Sequence, residues 1–177
     1  MVRDILQREH PTLRGKAKEV PVAEITSAKI KGVIADMAAT MAGQKDGIAI
    51  AAPQIDVALR IFVVSGDLLK QADKEYTGPG GSLVFINPEI LKLSREKKEM
   101  EEGCLSVRWL YGKVKRSTKA TIRAYNEKGE KIERGASGLL AQIFQHETDH
   151  LDGTLFIDKA DMVWEMSEEE INELQSK

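Results

Sequence analysis

From Ser137 to Leu151 the chain carries Leu139, Leu140, Ile143, Phe144 and Leu151 at helical spacing, and the same stretch contains His146-Glu147-Thr148-Asp149-His150. Residues four apart share one face of a helix, so both imidazoles of an H-E-x-x-H sequence can point at a single metal ion. Glu147 sits about 100° further round the axis than His146. Its carboxylate therefore falls beside such an ion rather than on it, where it can handle the protons of a water molecule. Gly135 and Gly138 are read at the start of this helix, and Asp152-Gly153 closes it. The third histidine, His10, precedes Pro11 in a polar stretch and reads as a surface residue.

A catalytic zinc-type centre needs three protein ligands and one open position. Two histidines leave one ligand to find. The extended pattern H-E-x-x-H-x-x-G-x-x-H keeps its glycine here, at Gly153, but places Phe156 where the third histidine belongs. A downstream glutamate, Glu165 or Glu168, is a second route. The third is Cys104, in Glu101-Glu102-Gly103-Cys104-Leu105-Ser106-Val107, whose thiolate is a strong soft ligand. A single cysteine before leucine is equally readable as a small buried apolar residue.

Elsewhere, Ile30, Val33, Ile34, Met37 and Met41 recur at helical spacing between Ser27 and Gly43, with Thr26 or Ser27 as cap. Their methionines read as core filler. Arg60–Ser65 and Leu83–Asn87 are short runs of branched and aromatic residues, which predicts strands. The loop Gly78-Pro79-Gly80-Gly81 separates them. Lys119–Tyr125 and Glu130–Glu133 flank Asn126-Glu127-Lys128-Gly129, which predicts a hairpin. After Met166, Ser167-Glu168-Glu169-Glu170 opens a short acidic helix capped by Ser167. Strands and helices without regular alternation predict an α+β fold, with mixed or antiparallel strands around a central helix that carries H-E-x-x-H. At 177 residues one domain over 1–177 is expected, with no repeats and no internal linker.

A net charge of −2 gives no reason to expect nucleic acid or an acidic membrane as main ligand. No run of about 18 apolar residues is present, and the first ten residues do not read as a signal peptide. One cysteine makes no disulfide within the chain, and a reducing, cytoplasmic setting follows.

Three segments together resemble the peptide deformylases, whose motifs are G-x-G-[LI]-A-A-x-Q, E-G-C-L-S and Q-H-E-x-D-H-L-x-G. They are Gly47-Ile48-Ala49-Ile50-Ala51-Ala52-Pro53-Gln54, Glu102-Gly103-Cys104-Leu105-Ser106, and Gln145-His146-Glu147-Thr148-Asp149-His150-Leu151-Asp152-Gly153. Their order and spacing agree, and the match spans nearly the whole chain. The resemblance implies Cys104, His146 and His150 as metal ligands and Glu147 as general acid and base. It also implies Gln54 and the Leu105 N–H as donors to the carbonyl oxygen under attack, with Glu102 beside the ligands and paired to Arg116.

The implied substrate is the N-formyl-methionyl end of a newly made bacterial or organellar protein. Its backbone would pair with the stretch from Gly47 through Ile48 and Ala49 to Ala51, and its side chain would enter a pocket of Ile48, Leu139 and Ile143. Leu139 and Ile143 read equally well as plain core. One divalent ion is implied, typically Fe²⁺, with Zn²⁺, Ni²⁺ or Co²⁺ able to substitute. Proximity to the ribosome follows from the substrate, although the acidic tail offers no basic ribosome-binding segment. A monomer is expected. The chain departs from the pattern at Ala49, where the family has glycine, at Asp56, where glycine is usual, and at Arg108, where proline is common. Two rival readings are an ordinary H-E-x-x-H metalloprotease using Glu165 or Glu168, and a deformylase-like fold kept as a metal-binding module.

Overall fold

The computed structural model describes residues 1–176. It opens with a one-turn helix, α1 (Pro11–Arg14), capped by His10, whose Nδ1 accepts the Thr12 N–H at 3.3 Å. His10 thus has a local task beyond the plain surface position expected of it. Helix α2 (Ala28–Ala42) starts at Ser27, whose hydroxyl accepts the Ile30 N–H. Strands β1 (Ala49–Ala51) and β2 (Ile61–Ser65) follow, then helix α3 (Gly66–Ala72) and strands β3 (Ser82–Leu93), β4 (Lys97–Gly103), β5 (Leu110–Ser117), β6 (Lys119–Tyr125) and β7 (Lys131–Ser137). Helix α4 (Gly138–Leu151), strand β8 (Met162–Glu165) and helix α5 (Glu168–Ser176) complete the order. At α5, Ser167 and Glu170 bond reciprocally: the Glu170 N–H donates to the Ser167 hydroxyl and the Ser167 N–H to the Glu170 carboxylate.

Two antiparallel sheets form, β1-β2-β3-β6-β7 and β4-β5-β8. Their arrangement around α4 is the α+β architecture expected. The larger sheet is covered on both faces. On β2, Phe62 and Val64 pack towards α4 with Phe85, Leu140 and Phe144. Ile61 and Val63 pack towards α2 with Ile30, Met37 and Met41. A strand buried on both faces shows a continuous apolar run instead of alternation, as Ile61-Phe62-Val63-Val64 does. Phe62 and Phe85 stack at 4.7 Å between centroids, and Phe144 meets Phe85 edge-on at 5.2 Å. Helix α4 is thereby fixed on the sheet by its apolar face.

Several boundaries differ from the sequence expectations. β3 runs on past Asn87 to Leu93 through a register shift at Asn87-Pro88. A proline is tolerated in a strand at such an irregularity. Asn87, at φ 50, exchanges two side-chain hydrogen bonds with the Val20 backbone. β7 extends to Ser137, so Gly135 belongs to a strand and not to the helix start. Gly129 takes φ +78 in the predicted hairpin turn. Gly153, at φ +77, lets the chain leave α4 past α1; a Cβ there would lie 2.5 Å from the Arg14 carbonyl oxygen.

Candidate metal centre

Helix α4 presents His146 and His150 on one face, and the turn leaving β4 brings Cys104 to them across the sequence. Cys104 Sγ lies 3.1 Å from His150 Nε2, and one donor atom from each of the three residues falls within 4.8 Å of the others. Atoms that share one ion at ligand distances of about 2.0–2.3 Å must lie close together in this way, and a thiolate with two imidazoles is a donor set suited to a divalent ion. Among the described residues the grouped donors include neither Glu165 nor Glu168. Phe156, at the position of a possible third histidine, instead stacks on the His146 ring at 6.3 Å.

The ligands are held by a buried polar network. Glu102 accepts from His146 Nδ1 at 2.8 Å and from both Nε and an Nη of Arg116, at 2.6 and 2.9 Å. That leaves Nε2 of His146 for the ion, and such a carboxylate behind a ligating histidine fixes the ring's tautomer and aim. The other Arg116 Nη donates to Asp149 at 2.6 Å, and Asp149 also accepts from Lys159 at 2.7 Å. The Arg116–Glu102 pair was expected. The Asp149 and Lys159 extension was not, because nothing in sequence spacing joins residue 116 to residue 149. Burial acts to raise the Glu102 carboxyl, but the hydrogen bonds and charges of Arg116 and His146 outweigh it and hold the group at about 2. His146 is likewise opposed by burial, yet Cys104 and Glu102 push it well above the usual imidazole range. Burial, with the neighbouring His146 charge, holds His150 well below that range. Because imidazole and thiol ligands bind a cation only in their deprotonated forms, metal binding at these residues is coupled to proton release.

A cleft of about 210 Å³ opens beside the centre. Ile48, Ala49, Gln54, Glu102, Cys104, Leu105, Leu139, Ile143, His146 and Glu147, all named from sequence, line it. Gly47 lies at the entry to β1, outside the lining, and Arg116 and His150 lie behind it. Leu139 and Ile143 each line the cleft and also pack on the α4 core cluster. Glu147 is 4% exposed, and among the described residues its Oε2 has no protein partner. Burial pushes its carboxyl up to about 7. The Gln54 side-chain Oε1 accepts the Ala51 N–H at 2.8 Å, which turns Nε2 towards Ser106 Oγ at 3.0 Å and Cys104 Sγ at 3.7 Å.

Sequence reasoning missed Asp46, Tyr111 and Gln142 on the cleft wall. Gln142 was legible in principle, one helical turn before His146. Tyr111 was not, because it arrives from β5, which was not predicted. Its ring explains Gly103: a Cβ there would stand 2.8 Å from the Tyr111 ring.

A thiolate and an H-E-x-x-H helix around one cleft, on an α+β frame, define a metal-dependent hydrolase of the type whose ligands come from two separate motifs. A model of the polypeptide deformylase family matches residues 2–165. A peptide deformylase of Pseudothermotoga lettingae is 45% identical over 159 residues, covering 89% of this chain and 82% of that protein. One from Halothermothrix orenii is 47% identical over 150 residues, covering 84% and 87%. The crystal structure of the peptide deformylase from Thermotoga maritima superposes with a TM-score of 0.78 at 34% identity, over 92% of this chain and 99% of that one. A Met-Ala-Ser-bound class I type b peptide deformylase from Acinetobacter baumannii gives 0.79 at 33%, over 90% and 99%. The chain belongs to the peptide deformylase family.

Proposed function

We propose that the chain hydrolyses the formyl group from N-formyl-methionyl peptides, releasing formate and the free amine, and that residues 1–177 act as one catalytic domain. The observation that carries this is the meeting of Cys104, His146 and His150 beside a cleft into which the buried Glu147 carboxylate opens. These three residues would hold the ion, Fe²⁺ by family resemblance. When bound, such an ion supplies Lewis acidity that makes water nucleophilic near neutral pH and polarises a carbonyl.

The chain's own groups supply the rest. Glu147 accepts a proton from the attacking water and returns it to the leaving nitrogen. The Gln54 amide and the Leu105 N–H are the donors for the carbonyl oxygen as it gains charge; among the described residues no acceptor takes the Leu105 N–H. Glu102 keeps the His146 ring aimed. No covalent intermediate is needed, so Cys104 is a ligand and not a nucleophile.

Among the described residues β1 pairs only with β2, so one of its edges is open to a peptide. The Ser65 N–H donates to the Ile48 carbonyl, and Ile50 lies opposite Val63. Because the groups of alternate residues point to opposite sides of a strand, the Ala49 N–H and C=O face the open edge. An added strand can use them, with methionine entering the apolar wall of Ile48, Leu139 and Ile143. The extended backbone also explains why Ala49 is tolerated at a family glycine. On this reading the protein works where translation begins with formyl-methionine, near the ribosome, and we take it to act as a monomer.

Formate release from formyl-Met-Ala-Ser under anaerobic conditions, with metal content measured on the same sample, tests this. Metal-loaded protein that releases no formate overturns it.

A further inference from the structure

Arg108 stands where the family commonly has proline, and its side chain does not point to solvent. The guanidinium donates to both carboxylate oxygens of Asp46, at 3.0 Å to one of them, and to Gln44 Oε1 at 3.3 Å. It lies 4.5 Å from the Trp109 ring centroid. The two partners are only 20% and 19% exposed. A bidentate arginine–carboxylate contact fixes orientation as well as distance, and partial burial limits its screening by salt.

What the pair joins gives it meaning. Asp46 immediately precedes Gly47 and the open edge of β1, and it lines the cleft. Arg108 follows Leu105 by three residues, on the turn that carries Cys104. The far side of that turn is held too: the Arg108 N–H donates to Gln7 Oε1 at 3.2 Å, and Gln7 Nε2 donates to the Leu105 carbonyl at 3.1 Å. The same walls also meet through the Leu105 side chain, which would lie 3.4 Å from a Cβ on Gly47, and, deeper in, through the Gln54–Ser106 hydrogen bond at 3.0 Å.

We propose that the Arg108–Asp46 ion pair is a clasp that sets the width of the peptide groove between β1 and the Cys104–Leu105 turn, making both residues positioning residues for peptide binding. This rests on the reading that the peptide pairs with β1. A proline at position 108 could form no such tie, so the chain gains here a restraint that the common family pattern lacks.

The test is steady-state kinetics of metal-loaded Asp46→Asn and Arg108→Ala on formyl-Met-Ala-Ser. KM rises roughly fivefold in each, the scale of one partly buried charged contact, while kcat, metal content and Tm stay near wild type. The exchanged double variant Asp46→Arg with Arg108→Asp recovers most of the KM that either reversal alone loses. Unchanged KM in both single variants overturns the clasp. So does a loss that appears in kcat or metal content in step with Tm, or an exchange that recovers nothing. In parallel, wild-type enzyme is assayed on the peptide methylated at its alanine or its serine nitrogen. If neither methyl alters KM, the β1 pairing itself fails; if one does while the single variants bind normally, only the clasp fails.

Discussion

Glu102 stands 2.8 Å from Nδ1 of His146, and this one contact joins the helix that bears two metal ligands to the strand that delivers the third. Cys104 follows Glu102 by two residues, so the carboxylate that aims the imidazole also anchors the turn carrying the thiolate. Arg116, on β5, closes the arrangement by gripping Glu102 of β4 and Asp149 of α4. The protein's own contacts thus orient the ligands, through charges that are 3%, 4% and 17% exposed at the side chain.

Replacing Glu102 by Gln should weaken metal binding more than it harms folding. The amide keeps the shape but loses the charge that Arg116 and His146 share. Outer carboxylates of this kind typically affect metal affinity by about 10–100-fold. A chelator competition titration reads the change directly, and affinity equal to wild type would remove Glu102 from the role assigned to it.

Glu147→Gln separates proton handling from metal binding. Glu147 lies beside the three grouped donors but is not one of them. Metal content should stay at the wild-type level while kcat for formyl-Met-Ala-Ser falls by roughly 10²–10⁴. A variant that loses its metal would instead mean that this carboxylate is a ligand.

Gln145, the residue before the first ligand, has a purely structural task. Its Oε1 accepts the Ser117 N–H at 3.0 Å, and its Nε2 donates to the Ser117 and Ala141 carbonyls, both at 2.9 Å. It thereby ties α4 to β5 where no strand neighbour could. Gln145→Leu leaves the buried Ser117 backbone groups without partners, at a cost of about 2 kcal/mol and a Tm lower by roughly 4–8 °C. Thermal unfolding of the metal-loaded protein measures it; an unchanged Tm would show that water replaces the amide.

Helices α2 and α4 and the apolar strands β2 and β3 were legible because their burial is periodic or continuous, whereas the short α1 and α3 were not. Ile30, Met37 and Met41 mark α2, and Ile61–Val64 mark β2 as plainly as sequence can. The smaller sheet was not legible. β4 reads Lys-Lys-Glu-Met-Glu-Glu-Gly and lies at an edge with four of its seven residues exposed, so composition signals a charged loop. β8 is the opposite edge and has only four residues. That sheet nonetheless supplies Glu102, Tyr111 and Arg116. Motifs named Cys104 and both histidines, but the route by which the thiolate reaches them runs through strands that carry no apolar signature. Arg108 shows the same limit: its departure from the family pattern was visible, whereas its partner Asp46, sixty-two residues away, was not.

The depressed Glu102 carboxyl also sets how the protein meets acid. An ordinary glutamate titrates near 4.5, and Glu102 is held at about 2. Between those values the unfolded chain binds a proton that the folded chain does not, so stability rises with pH across this window. The contribution is complete above about 4.5 and is lost as pH falls through 4.5 towards 2. A shift of this size corresponds to something on the order of 3 kcal/mol for the whole network. Denaturant unfolding of the metal-free protein between pH 2 and 6, compared with Glu102→Gln, isolates it. The stability gap between the two should be widest at pH 6 and should narrow steadily below pH 4.5 as the wild type takes up its proton. A gap that stays constant to pH 2 would mean that the Arg116 and His146 contacts do not stabilise the ionised carboxylate, and that Glu102 orders the centre by shape alone.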